Sequence, residues 1–250
     1  MLKIRVIPCL TVKADRLVKS VRFEEHRNIG SYVGAARVFN AREVDELILL
    51  DLDARTKGIK PSLLKEVTKE CFMPLSVGGG VHSIDDFKTL LSLGADKVVV
   101  NTAALADPDL IARAARAYGR QCVVVSIDVR RGTDGTYEVF GTGGTEPSGR
   151  EVVAWAQGAE RLGAGEIFLT SIDRDGTMEG YDLDLIALVS RAVRIPVIVS
   201  GGACIPDHCV EAVKAGASAV AAASMFQYTH FTPQNVKEAL QRAGIPARIN

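Results

Sequence analysis

Short, unbroken apolar runs recur along this chain, and helix-period stretches separate most of them. The runs are Ile4–Leu10, Glu46–Asp51, Pro74–Val77, Lys97–Val100, Val123–Ile127, Glu166–Thr170, Pro196–Ser200 and Ala219–Ala222. They lack the polar–apolar alternation of a half-exposed strand, so each is expected to be a parallel strand buried on both faces. Amphipathic helices are expected at Ser83–Leu93, Pro108–Tyr118, Gly149–Leu162, Leu183–Arg191 and Asp207–Ala215. Eight strand–helix units in 250 residues predict an α/β fold, a single (β/α)8 barrel domain over residues 1–250. A doubly wound open sheet is the alternative, and it suits a chain without a distinct second domain less well.

The chain also repeats itself. PLSVGGGVHSIDDFKTLLSLGADKVVVNTAAL (74–105) parallels PVIVSGGACIPDHCVEAVKAGASAVAAASMF (196–226), pairing Gly79 and Gly80 with Gly201 and Gly202, and Asp85 with Asp207. DELILLDLDA (45–54) parallels GEIFLTSIDRDG (165–176), and IPCLTVK (7–13) parallels VSIDVRR (125–131). Two half-barrels of four units each account for all three matches. In the last pair, Thr11 stands where the second half has Asp128.

In such a barrel, chemistry sits at the C-terminal ends of the strands. Each half places a glycine-rich turn there, VGGG (77–80) and SGGA (200–203). Each is followed one unit later by a hydroxyl residue at a strand end, in Asn101-Thr102 and Ala223-Ser224. Glycine lets backbone N–H groups approach an anion, and a hydroxyl completes the cradle. Two such cradles, at Gly80/Thr102 and Gly202/Ser224, predict a long ligand carrying a phosphate at each end. The acid- and glycine-rich loop 171–182 offers Asp175-Gly176 as a further backbone contact, or is a solvated turn. His26, His82, His208 and His230 are dispersed, with no partner at nucleophile or metal spacing. Trp155 reads as packing.

Composition narrows the function classes. Hydrophobic residues are 47% and charged residues 24%, and the formal net charge is zero, so nucleic acid gains no electrostatic support as a partner. No apolar run approaches the roughly 20 residues of a membrane span, and MLKIRVIPCL carries charge where a signal peptide would be apolar. The five cysteines form no CxxC pair. They are expected to be reduced core thiols in a cytoplasmic protein, with no metal and no cofactor.

VGGGVHSIDDF, LGADKVVVNTAA, GAGEIFLTSIDRDGT, GYD and SGGA together resemble the HisF family, the cyclase subunits of imidazole glycerol phosphate synthase, over essentially the whole chain. The resemblance implies a HisH-like glutaminase docked at the bottom of the barrel, with ammonia passing along the axis to a bisphosphorylated substrate at the top. It implies a charged gate at the bottom, matched by Arg5, Glu46, Lys97 and Glu166, each at a strand start. It also implies that Lys19 acts in closing the loop Ser20–Tyr32, which reads as basic and mobile, and that Asp51 lies near the active site. Finally it implies two catalytic aspartates, at the ends of the first and fifth strands. Asp128 matches the second, and Thr11 replaces the first. A hydroxyl is a poor base unless something activates it. Asp15, Asp51 and Asp53 are the nearby acids.

RVIPCL, LVKSVRF, RVFNAREVDELILLDLDA and ECFMP resemble the glycosyl-amidation paralogues of surface-polysaccharide loci, often called WbuZ, more closely than ordinary HisF. Those proteins lack the first acid and work with a HisH-like glutaminase and an ATP-dependent amidotransferase. The expectation taken forward is therefore a barrel that conveys ammonia for acetamidino formation on a nucleotide sugar. The alternatives are the histidine-pathway cyclase and a non-catalytic ammonia conduit.

Overall fold

The computed structural model describes residues 3–248, so Met1 and Leu2 of the N-terminal segment lie outside the described residues. Eight parallel strands form the barrel: β1 (Arg5–Lys13), β2 (Leu47–Asp51), β3 (Leu75–Gly78), β4 (Lys97–Val100), β5 (Val123–Arg131), β6 (Glu166–Ser171), β7 (Val197–Ser200) and β8 (Ala219–Ala222). They pair in sequence order, β8 pairs with β1, and the ladder between β5 and β6 completes the ring. The fold is a closed (β/α)8 barrel, and the open-sheet alternative fails on that closure.

Strand alternation builds two cores. On β1, Val6, Leu10 and Val12 face outward into the large cluster between strands and helices. Ile7 and Cys9 face the bore, with Ile48, Val99, Val124, Phe168, Ile198, Ala219 and Ala221. Burial on both faces explains why the strands read as unbroken apolar runs.

The expected helices occur as Ile84–Ser92, Asp109–Tyr118, Val152–Leu162, Leu183–Ala192 and Pro206–Lys214. Ser83 caps the first of these through a capping box with Asp86. Tyr32–Ala41, Pro61–Thr68 and Pro233–Arg242 are additional. Among the described residues no helix is long and apolar enough to cross a membrane.

Two antiparallel hairpins extend the barrel, the first where a loop was expected. Arg16–Val21 and Glu24–Gly30 continue from β1, and Tyr137–Gly141 and Glu146–Glu151 continue from β5. The Ser20–Tyr32 segment, expected as a loop, is therefore largely hairpin strand. Its tight turns use Ala14-Asp15 and Arg22-Phe23, all at positive φ, which two-residue hairpin turns need. Neither dipeptide carries the usual Asn-Gly or Asp-Gly signature, so the pattern hid the hairpin. The second hairpin turns at Asp134-Gly135, where Gly135 holds positive φ. It also shortens the expected Gly149–Leu162 helix to Val152–Leu162, because residues 149–151 are strand.

The repeat is visible in register. Thr11 lies opposite Leu50 on β2, and Asp128 lies opposite Thr170 on β6. Leu50 and Thr170 hold matching places in the repeated β2/β6 segments, so Thr11 and Asp128 are equivalent positions. Gly79 and Gly201, at φ 108° and 99°, face the carbonyls of Asp51 and Ser171, which are themselves equivalent, and a Cβ at either glycine would collide with that oxygen. Only glycine permits both the dihedral and the approach.

Candidate active site

Two adjoining cavities open at the C-terminal ends of the strands. The larger, about 440 Å³, is lined by Thr11, Lys19, Asp128, Asp175, Gly176, Gly202 and Ser224 among others. The smaller, about 160 Å³, is lined by Asp51, Gly80, Asn101, Thr102 and again Asp128. Each of these residues therefore borders one cavity or the other. The two glycine cradles lie in different cavities, and Asp128 borders both.

Asp128 is almost fully buried. Asn101 Nδ2 donates to its Oδ2 at 2.7 Å, and Ser126 Oγ donates to its Oδ1 at 3.2 Å. Burial pushes its pKa up to about 7; the Ser126 and Asn101 bonds oppose that rise and the charge of Asp175 adds to it. The carboxyl is thus poised to give or take a proton near neutrality. Ser126 was not singled out from the sequence, although its place two residues before Asp128 puts it on the same strand face.

Thr11 is half-buried in the larger cavity and has no carboxylate beside it on its strand. Each of the nearby acids is already hydrogen-bonded or paired. Asp15 pairs with Lys60 and borders neither cavity. Asp53 accepts from Ala14 N and Lys57 Nζ. Asp51 accepts from Asp53 N at 3.0 Å and borders the smaller cavity, which Thr11 does not reach. Burial raises the Asp51 pKa.

Lys19 and Asp175 form a buried pair, with Nζ at 2.9 and 2.8 Å from the two carboxylate oxygens. Arg22 N donates to the Asp175 carbonyl at 2.7 Å. The first hairpin is thereby fastened to the loop after β6. Ser224 Oγ and Asn101 Oδ1 are buried with no hydrogen-bond partner among the described residues. An unpartnered hydroxyl beside Gly202 is a ready donor or acceptor for a bound group. Thr102 Oγ1 instead accepts from Thr142 N. His26, Phe23 and Arg55 also border the larger cavity. Nothing in their spacing marked them, because hairpin pairing brings the first two there.

At the opposite, N-terminal ends of the strands, Arg5, Lys97 and Glu166 open β1, β4 and β6, and Glu46 stands one residue before β2. Arg5 meets Glu46 and, at 2.7 Å, Glu166. Lys97 meets the same two acids at 2.9 and 2.8 Å. The four charges close a ring of alternating sign. Ser76 Oγ adds a bond to Glu46 at 2.6 Å. Burial works against the Arg5 charge, yet Glu166 and Glu46 together hold its pKa above the ordinary value.

The family model described as histidine biosynthesis protein matches residues 5–232. The chain is 47% identical to the imidazole glycerol phosphate synthase subunit HisF of Gluconacetobacter diazotrophicus, over 99% of this chain and 97% of that protein. It is also 47% identical to the protein of the same name from Caulobacter vibrioides, over 100% of this chain and 98% of that protein.

Proposed function

The chain belongs to the HisF family of histidine biosynthesis proteins, and on that premise we propose that it is the ammonia-dependent cyclase subunit of an imidazole glycerol phosphate synthase. The names of its relatives support this reading over amidation of a nucleotide sugar, the expectation carried from the sequence. In this role a HisH-like glutaminase supplies ammonia at the Arg5–Glu46–Lys97–Glu166 ring. A bisphosphorylated ribulosyl aminoimidazole lies across the two cavities. One phosphate sits near Gly80 and Thr102, the other near Gly202 and Ser224, with Lys19, Asp51 and the Asp175-Gly176 turn beside the ligand.

The observation that carries the reading is Asp128. It is a buried acid titrating near 7, held by Asn101 and Ser126, and it lies where the two cavities meet. Such a group transfers protons during ring closure and release of the aminoimidazole carboxamide ribotide.

A second reading rests on Thr11. If the single remaining acid does not support ring closure, the barrel serves as the ammonia-conveying partner of an ATP-dependent amidotransferase. The test is a cyclase assay with the ribulosyl substrate and excess ammonium salt, which bypasses the glutaminase. Turnover is expected, falling about 100- to 10,000-fold in Asp128→Asn. No turnover in the wild-type protein would overturn the cyclase reading and turn attention to acetamido nucleotide sugars.

A further inference from the structure

The larger cavity holds one acid–base group that neither the repeat nor the resemblance supplies. Besides Asp128, its titratable side chains are Cys9, Lys13, Lys19, His26, Asp53, Arg55 and Asp175. Most are already committed. Asp175 holds Lys19. Asp53 is bound by Lys57 and by Ala14 N. Burial pushes the Cys9 thiol up to about 12, so it stays protonated. Lys13 and Arg55 are basic side chains suited to binding an anion. His26 remains. It stands on the hairpin strand Glu24–Gly30, is only partly exposed, and its imidazole makes no hydrogen bond or ion pair among the described residues. An imidazole is the side chain best matched to proton exchange near pH 7.

We propose that His26 is the catalytic base that takes over the proton transfer left without a carboxylate at Thr11. The assignment rests on the ring-closure reading and deepens it. In the step, the ammonia nitrogen bonds to the substrate's carbonyl carbon as the C=O π bond opens. His26 accepts a proton from that nitrogen, and protonated Asp128 gives its proton to the carbonyl oxygen, so one proton enters and one leaves. The charged groups facing His26 favour its neutral, accepting form. Burial lowers its pKa, Lys13 on β1 and Lys19 on the neighbouring hairpin strand lower it further, and Asp175 opposes them. The hairpin that carries His26 is tied to the loop after β6 through the Lys19–Asp175 pair, which fixes where the ring is presented.

The ammonium-driven cyclase assay tests this in the full chain, with His26→Gln, His26→Ala and the double variant Thr11→Asp/His26→Gln. Tight binding of a non-reacting bisphosphate in each variant, read by calorimetry, shows that the cavity is intact. The expected result is a kcat about 100-fold lower in His26→Gln with KM within threefold. The acid limb of the pH–kcat profile disappears, and the double variant recovers at least tenfold. Wild-type turnover that His26→Gln leaves within threefold overturns the assignment while the cyclase reading stands. A raised KM at unchanged kcat also overturns it, making His26 a ligand contact. An inactive wild-type protein removes both.

Discussion

At the end of β5, Asp128 sits with Ser126 two residues before it and Asn101 reaching across from the end of β4. At the equivalent end of β1 the same three places hold Thr11, Cys9 and, after β8, Ala223. The backbone plan of the halves is shared down to their ladder register and glycine turns, yet one half supports an acid and the other an uncharged corner. Packing explains how both survive. The barrel needs only that each inward position be filled. A buried carboxyl also needs donors, and Asn101 and Ser126 supply them to Asp128. The halves are tied together by polar contacts that have no symmetric counterpart. Asn101 of the first half serves Asp128 of the second, and Asp175 of the second holds Lys19 of the first.

The glycine turns offer the largest contrast. A methyl group at Gly79 meets the Asp51 carbonyl more closely than one at Gly201 meets the Ser171 carbonyl, and both residues hold positive φ. Gly79→Ala and Gly201→Ala are each expected to cost about 2–6 kcal/mol from backbone strain and overpacking combined. Gly79→Ala should be the worse, as denaturant titration would show. Equal or negligible costs would mean the turns relax and the halves are not held to one geometry.

Next comes the acid itself. Its pKa is raised from 3.8 to about 7, so between those values the folded state keeps a proton that the unfolded chain gives up. Its contribution to stability is present below pH 4 and is lost as pH rises through 7. Asp128→Asn should therefore gain on the wild type by as much as about 4 kcal/mol between pH 4 and pH 8. Thr11→Val, at the matching place in the other half, should show no such pH dependence. Chemical denaturation at the two pH values measures both.

The smallest expected effect compares the two ring acids. Glu46 is only 1% exposed and takes an extra bond from Ser76, whereas Glu166 is 13% exposed in its side chain. Glu46→Gln should cost about 2 kcal/mol and Glu166→Gln about 1, since solvent screens the more open member. A reversed order would show that Ser76 and burial do not decide the ring's stability.

Much of this was legible in the chain. Parallel strands buried on both faces leave unbroken apolar runs, so the barrel strands could be placed within a few residues. The glycines, Asp128 and the charged ring stood at readable strand ends. Ser126 shares the face of Asp128 by strand period. The first hairpin was not readable, because Ala14-Asp15 and Arg22-Phe23 adopt turn dihedrals their residue types do not advertise. His26 was hidden with it, looking like one of four scattered histidines.

The sequence by itself determined the eightfold strand–helix alternation, the twofold repeat and the replacement of one acid by Thr11, because these depend on residue type and spacing along the chain. Tertiary structure decided what surrounds the remaining acid. The rise in the Asp128 pKa, the Lys19–Asp175 pair and the arrival of His26 in the cavity come from groups up to 156 residues apart that meet only when the barrel closes. Desolvation and hydrogen bonding are properties of that closed volume, and no local pattern encodes them.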